Sequence, residues 1–239
     1  MNIPFCILAA GAPGGGELSY IWGNATIEAK IIILLLAIFS IFAWSVMASK
    51  AIQMSRANRL NHLFDTEYRA QPKVLGIFER RVQVEGCPLF SVYQTGCIEL
   101  DTRLKTADGG RKKIISLKSM EHIKRSLEGA VARESLKLES GLILLAIAVS
   151  GGPFLGLLGT VWGVMQTFSY VGMAGKAELA TMAPGVSAAL ITTVAGLLVA
   201  IPSMFGYNWL VHTLRVLTVE LDNFAQELVS KMETEYMEE

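Results

Sequence analysis

The sequence predicts an all-α integral membrane protein with three transmembrane helices. Three long segments contain no Asp, Glu, Lys or Arg: residues 31–49, 140–175 and 179–214. An apolar, uncharged run of about 18 residues or more is long enough to span a bilayer as a helix. Basic residues are concentrated between the first and second segments, as is typical of a cytoplasmic loop. The chain is therefore predicted to be embedded in lipid.

The second and third uncharged segments are longer than a bilayer requires. Each has 36 residues, or about 54 Å as continuous helix, whereas the hydrocarbon core is about 30 Å thick. We therefore expect long helices that cross the membrane and extend into the cytoplasm. The three predicted spans are residues 29–49, 141–172 and 183–209.

The distribution of basic residues predicts the orientation. Of the 21 Lys and Arg residues, 17 lie between Lys50 and Lys137, and none precedes Lys30. Since basic flanks stay on the cytoplasmic side, the amino terminus is predicted to be periplasmic and the carboxyl terminus cytoplasmic. Residues 50–140 then form a cytoplasmic loop, and residues 173–182 form a periplasmic hairpin.

Residues 1–28 are predicted to form a periplasmic or interfacial segment before the first span. A short apolar run, residues 3–10, is followed by the glycine-rich break GAPGGG. A cleaved signal peptide is the alternative, but its basic n-region is missing and the apolar run is short. The first span itself is built from bulky apolar side chains, which favour contact with lipid over close helix packing.

The loop 50–140 is predicted to be helical. Apolar residues recur in it at helical spacing among charged ones: Met120, Ile123, Leu127 and Val131. We expect this helix to continue into the second span as one rod. Two weaker breaks, residues 85–88 and 108–110, predict turns. Because basic and acidic residues alternate, a nucleic-acid partner is not expected.

The tail, residues 210–239, is predicted to be a cytoplasmic helix that packs lengthwise against other helices. Its apolar residues alternate spacings of four and three: Leu210, Leu214, Leu217, Leu221, Phe224 and Leu228. Acidic residues surround this heptad stripe, which favours packing against the basic loop helices of the same or a neighbouring subunit.

Small residues mark the second and third spans as helices that pack closely. They recur at three- and four-residue spacing: Gly152, Gly156, Gly159 and Gly163, then Gly185, Ala188 and Gly196, with Pro184 at the start of the third span. Small side chains let backbones approach and gain contacts that lipid does not supply.

Hydroxyl groups accompany these small residues and predict a polar lining: Thr160, Thr167, Ser187, Thr192 and Thr193. The alternative is that each threonine bonds a carbonyl four residues back in its own helix.

No Asp, Glu, Lys or Arg lies within these three segments, and ionisable groups of this kind are the usual carriers of protons in membranes. The sequence also lacks a P-loop, a nucleophile elbow, a dinucleotide fingerprint and a Cys/His metal cluster. It therefore predicts a protein that is not an enzyme and binds no cofactor or metal. If it conducts ions, another subunit must supply the titratable group.

Two stretches in the second and third spans resemble the signature helices of the TolQ/ExbB/MotA family of proton-channel subunits: GPFLGLLGTVWGVMQTF and APGVSAALITTVAGLLVAIPSMFGYN. IFSIFAWSVMASKAIQMSRANR and VELDNFAQELVSKM are more similar to TolQ than to ExbB. The resemblance covers nearly the whole chain. It implies a pentameric ring in the bacterial inner membrane around a TolR/ExbD-like partner, whose single span bears an aspartate. Proton flow would then drive a periplasmic TolA/TonB-like effector.

Within this resemblance, Thr160 and Thr193 match the polar positions of the proton path. One departure concerns the third span, where the family pattern I-A-E-A-L reads VSAAL and Ala188 replaces the glutamate. The adjacent Ser187 and Thr192 supply polarity but do not titrate. A non-conducting scaffold ring and a Na⁺-driven motor remain as alternatives.

Overall fold

The computed structural model describes residues 26–105, 112–175 and 178–237, and within these ranges the chain forms helices and no strand. The helices are α1 (Ile27–Arg69), α2 (Gly76–Glu79), α3 (Pro88–Leu104), α4 (Leu117–Glu139), α5 (Leu142–Ala174) and α6 (Leu179–Tyr236). Three of them, α1, α5 and α6, are long and apolar enough to cross a membrane. The predicted all-α class and the presence of three helices that could span a membrane are thus confirmed.

The chain divides into two compact units. The first, here called the small-residue unit, contains residues 26–43 and Ile147–Ser203. The second, here called the aromatic unit, contains the described parts of Trp44–Ala146 and residues 204–237. The amino-terminal segment 1–25 and the turn predicted at residues 108–110 lie outside the described residues.

Capping residues fix the starts of two helices. The Thr26 hydroxyl accepts a hydrogen bond from the Ala29 amide at 3.3 Å, which caps α1. Ser116 accepts one from the Ser119 amide in the same way before α4. A side-chain acceptor at this position satisfies an amide that has no partner within the helix.

The expectation of one rod from the loop into the second span is wrong. α4 ends at Glu139 and α5 begins at Leu142. Between them Gly141 has φ +85°, a left-handed conformation that glycine adopts without the steric cost of a Cβ. A Cβ at Gly141 would also lie 3.4 Å from Cε of Lys50. Gly141 therefore acts as a helix terminator.

Helical structure also reaches into the segment expected to form the hairpin. α5 ends at Ala174, and α6 begins at Leu179. Gly175, with φ +65°, follows the last residue of α5. α6 runs without interruption through the third predicted span and into the tail, although it contains Pro184 and Pro202. The turn predicted at residues 85–88 does separate α2 from α3.

The aromatic unit has a core of large side chains. Ring centroids lie between 5.1 and 6.4 Å apart in a cluster of five aromatic residues, Phe64, Tyr68, Phe90, Tyr93 and Phe224. The heptad residues of α6 are buried apart from the partly buried Leu214. The apolar stripe of α4 is buried as well: Met120, Ile123, Leu127 and Val131. The α4 stripe and the α6 residues from Leu221 onward thus point into this core, whereas Leu210 and Leu217 pack in a second cluster of the same unit.

Candidate functional site

The candidate site lies where the backbones of α5 and α6 are in direct contact in the small-residue unit. A Cβ on Gly196 would lie 2.5 Å from the carbonyl oxygen of Gly152, and a Cβ on Gly156 would lie 2.9 Å from that of Thr192. These neighbours are backbone atoms, which have no rotamer by which to withdraw. The contact of the two helices, here called the α5–α6 seam, therefore needs glycine at these positions.

The next turns of α5 continue the seam. A Cβ on Gly159 would lie 2.7 Å from Cβ of Thr192, and one on Gly163 would lie 2.7 Å from Cβ of Ala189. Gly185 faces the Thr167 side chain in the same manner. The structure therefore brings the predicted packing glycines together on one seam. Pro184 lines a cavity near its end.

Three hydroxyl groups converge on one carbonyl group in this seam. The oxygen of Gly156 lies 3.2 Å from Thr160 Oγ1, 3.0 Å from Thr192 Oγ1 and 3.3 Å from Thr193 Oγ1. Thr160 and Thr193 are also in hydrogen-bond contact with each other. The absence of a side chain on Gly156 is what lets α6 bring its hydroxyls to this carbonyl.

A second carbonyl group shares this hydroxyl cluster of Thr160, Thr192 and Thr193. Ala189 O accepts from Thr192 Oγ1 at 2.7 Å and lies 3.1 Å from Thr160 Oγ1. Each hydroxyl donates one hydrogen bond and accepts two. Thr192 is fully buried, whereas Thr160 and Thr193 are half-buried. The cluster therefore presents rotatable hydroxyls, rather than a charge, to any group that reaches it.

Two of the predicted polar residues lie outside the hydroxyl cluster. Thr167 donates to the carbonyl oxygen of Gly163 at 2.8 Å, four residues back in its own helix, which is the alternative arrangement for a helical threonine. Ser187 is exposed. Spacing along one helix does not specify which hydroxyls meet across a helix pair.

Ala188, which replaces the glutamate of the family pattern in the third span, is in an apolar contact. It is 3% exposed and packs with Ala29 of α1, which is also 3% exposed. The methyl groups fill the space between the two helices, so this position contributes packing and no polar group.

Sequence reasoning missed a polar pair near one end of the same unit. Gln166 Nε2 on α5 donates to both carboxylate oxygens of Glu28 on α1 at 3.4 Å. The pair lines a cavity of about 720 Å³ that Thr167 and Pro184 also line. The available sequence signal for this pair was the position of Glu28, an acidic residue only three residues before the first uncharged segment.

The described residues contain no group of three or more His, Cys, Asp or Glu side chains positioned to hold a metal ion. In the aromatic unit, burial raises the pKa of the Cys97 thiol to about 12 and raises the pKa of Cys87 as well. Both side chains are therefore neutral thiols near neutral pH. Binding a metal or attacking an electrophile requires the thiolate instead.

Comparison with known proteins adds independent evidence. The sequence model of the MotA/TolQ/ExbB proton channel family matches residues 101–223, more than half of the chain. The match contains α5 and the hydroxyl cluster.

This chain belongs to the MotA/TolQ/ExbB proton channel family.

Relatives from both the TolQ and ExbB branches of the family are similar to the chain. The Tol-Pal system protein TolQ of Haemophilus influenzae is 31% identical over 213 residues, covering 87% of this chain and 90% of that protein. TolQ of Pseudomonas aeruginosa is 31% identical over 188 residues, covering 77% and 79%. The biopolymer transport protein ExbB of Xanthomonas campestris pv. campestris is 42% identical over 113 residues, which cover 47% of this chain and less than half, 45%, of that protein. Family membership and the three apolar helices imply an inner-membrane protein.

Proposed function

We propose that the chain is the channel subunit of a proton-driven motor in the bacterial inner membrane. It works with a TolR/ExbD-like partner whose single transmembrane helix bears an aspartate. The observation that carries this proposal is the hydroxyl cluster, in which Thr160, Thr192 and Thr193 converge on the Gly156 carbonyl. That cluster lies within the region matched by a proton-channel family.

The need for a partner follows from the absence of charge. The segments 31–49, 140–175 and 179–214 contain no Asp, Glu, Lys or Arg. Hydroxyl groups bind and orient a proton carrier but do not titrate near neutral pH, so a proton-driven cycle needs an ionisable group from elsewhere. A partner aspartate beside Thr160 and Thr193 supplies that group.

The hydroxyl cluster suits both protonation states of such an aspartate. As a carboxylate it accepts hydrogen bonds from the Thr160 and Thr193 hydroxyls, which offset part of the several kcal/mol that an isolated charge costs in the membrane. As a neutral acid it moves past apolar and small residues at a much lower cost. Protonation therefore controls when the partner helix moves relative to the seam.

The exposed faces of the spans support a ring and a lipid environment. Large apolar side chains on these faces are exposed in the single chain: Phe154, Trp162, Phe168, Leu198 and Phe205. Apolar faces of this kind are covered by lipid or by other subunits. We propose five copies around the partner helices, with the transmitted movement acting on a periplasmic TolA/TonB-like effector.

The proposed topology follows the basic residues. The amino terminus and the 173–182 connection are periplasmic, and the 50–140 region and the 210–239 tail are cytoplasmic. On this topology the parts of the aromatic unit within residues 50–140 and 210–239 are cytoplasmic. Its helices α3 and α4, with the second half of α6, share one core.

The test is proton flux into liposomes that carry this chain with its TolR/ExbD-like partner. We expect flux with the wild-type partner and none when the partner's aspartate is replaced by asparagine. Equal flux with both partners would exclude the proposed mechanism. An assembled complex with no proton flux, even with the effector present, would indicate a scaffold ring. Flux that follows a sodium gradient instead would indicate that the converging hydroxyl and carbonyl oxygens serve Na⁺.

A further inference from the structure

Glu28 lies where three helices of the small-residue unit meet. It is in the first turn of α1, next to Ala29, which packs against Ala188 of α6. From α5, Gln166 Nε2 donates to both of its carboxylate oxygens at 3.4 Å. The carboxylate is therefore held toward the helix bundle by a residue of another helix.

The immediate surroundings of Glu28 are rich in acceptors. Gln166 Oε1 is buried and has no hydrogen-bond partner among the described residues. A buried acceptor without a partner is costly, so a donor is needed beside it. The carboxylate and this amide oxygen together suit a water molecule or a hydronium ion, both of which donate more than one hydrogen bond.

A cavity of about 720 Å³ gives such donors access to the pair. Glu28 and Gln166 line it together with hydroxyl-bearing residues of all three helical elements: Thr26, Thr167, Tyr170 and Thr181. The cavity is large enough for several water molecules. It also contains enough polar groups to hold them.

Thr167, which lines this cavity beside the pair, stands on the same face of α5 as Thr160 of the hydroxyl cluster. Thr167 follows Gln166 directly and lies seven residues, or about 10.5 Å along the helix axis, from Thr160. Seven residues are close to two helical turns, so Thr167 and Thr160 share one face. A few water molecules span a distance of this size.

We propose that Glu28 is the proton-uptake group at this end of the path, an inference that rests on the proposed function. Its carboxylate accepts a proton from a hydronium ion in the cavity, leaving water. The carboxylic acid then gives that proton to a water molecule on the side of Thr167 and Thr160, and the carboxylate is restored. Glu28 thus passes one proton from the cavity to the water beside Thr167 and returns to its carboxylate form.

Other titratable groups lie at the same end of the unit. Tyr170 on α5 lines the cavity, Lys30 follows on α1, and Glu178 precedes α6 without lining the cavity. Glu178 is exposed and supplies a matched control, because its replacement removes the same charge near the same end of the unit.

The experiment compares Glu28→Gln, Glu28→Asp and Glu178→Gln in the complete complex with its partner, reconstituted in liposomes. Glu28→Gln keeps the size of the side chain and removes the proton-accepting carboxylate, so we expect proton flux to fall about tenfold or more and to depend less on pH. Glu28→Asp keeps a carboxylate and should retain most of the flux. Glu178→Gln should match the wild type.

Wild-type flux and pH dependence in Glu28→Gln would overturn the assignment of Glu28 while leaving the proposed function intact. An equal loss in Glu178→Gln would also overturn it, because surface charge would then explain the effect. Failure of the proposed function is distinct, since the wild-type complex itself would carry no proton flux.

A second measurement needs no variant. A carbodiimide reacts with protonated carboxyl groups, so modification of Glu28, located by peptide mass spectrometry, should increase in parallel with the loss of flux. Complete modification at Glu28 with undiminished flux would overturn the assignment even if Glu28→Gln failed to assemble.

Discussion

The two units of the chain pack their helices with opposite kinds of residue. In the small-residue unit, Gly156 and Gly196 bring the backbones of α5 and α6 into direct contact. In the aromatic unit, interlocking rings and leucines separate the backbones, and Phe64 alone contacts four other aromatic rings. Both units contain parts of α1 and α6.

This difference shows how close packing creates a polar site. A glycine at a helix contact leaves its carbonyl oxygen within reach of the neighbouring helix, and Gly156 O is reached by two hydroxyls of α6. In the aromatic unit the corresponding space is filled by side chains, and the buried Tyr93 hydroxyl is bound by two backbone groups, Val74 O and the Phe78 amide. In the proposed function the small-residue unit therefore provides the ion path, and the aromatic unit provides a packed core.

Of the substitutions that test this difference between the units, Gly196→Ala is expected to cause the largest loss of stability. The new methyl group would lie 2.5 Å from the Gly152 carbonyl oxygen, and overpacking against atoms that cannot withdraw costs about 1–3 kcal/mol or more. We expect a lower thermal midpoint and loss of the assembled complex in detergent, measured by thermal scanning and size-exclusion chromatography. Gly172→Ala is the control, because its Cβ would meet no atom within 4 Å. Equal stability of the two variants would contradict the close α5–α6 seam.

A smaller effect is expected in the aromatic unit from Tyr93→Phe. The Tyr93 hydroxyl donates to Val74 O at 2.6 Å and accepts from the Phe78 amide at 3.0 Å. Its removal leaves both groups unpaired, at about 1–3 kcal/mol. Tyr68→Phe is the matched control, because the buried Tyr68 hydroxyl has no hydrogen-bond partner among the described residues. Chemical unfolding should show a lower free energy of unfolding for Tyr93→Phe and an unchanged one for Tyr68→Phe. A larger loss for Tyr68→Phe than for Tyr93→Phe would refute the described hydrogen bonds.

The smallest effect is expected from Glu227→Gln. Glu227 forms a two-point ion pair with Arg69, at 2.8 and 3.0 Å, but the side chains are 41% and 57% exposed. Exposed pairs of this kind contribute about 0–1 kcal/mol, and salt weakens them. The difference in unfolding free energy should vanish in about 1 M salt. Glu134→Gln should instead lower the free energy of unfolding at high salt as well, because that carboxylate is 11% exposed and bound by Lys137 and Ser91. Identical salt responses of the two variants would contradict this difference between the exposed and the buried carboxylate.

Much of the fold follows from one-dimensional patterns. The absence of charge over residues 140–175 and 179–214 predicted the second and third membrane helices, and the heptad stripe of α6 predicted which of its residues are buried. The break at Gly141 was not predicted, because a single glycine is compatible both with a helix interior and with its end. Its left-handed φ distinguishes the two only in three dimensions.

The candidate site was predicted only in part. The small residues and hydroxyls of each helix were visible as spacing, but the convergence of Thr160, Thr192 and Thr193 on Gly156 depends on the register between α5 and α6. For the same reason Thr167 and Ser187 could not be separated from the cluster in advance. The Glu28–Gln166 contact joins residues 138 positions apart, and no local pattern records such a pair.

The measurement that tests the central claim most directly is proton flux through the reconstituted complex carrying Thr160→Val and Thr193→Val. Valine keeps the shape of each side chain and removes the hydroxyl, so the complex should assemble with its partner while its flux falls about tenfold or more. Ser203→Ala is the control, because that buried hydroxyl of α6 donates to the Val199 carbonyl of its own helix and has no other hydrogen-bond partner in the described part of the chain, so it should be dispensable. Undiminished flux in the assembled double variant would contradict the assignment of the hydroxyl cluster to the ion path.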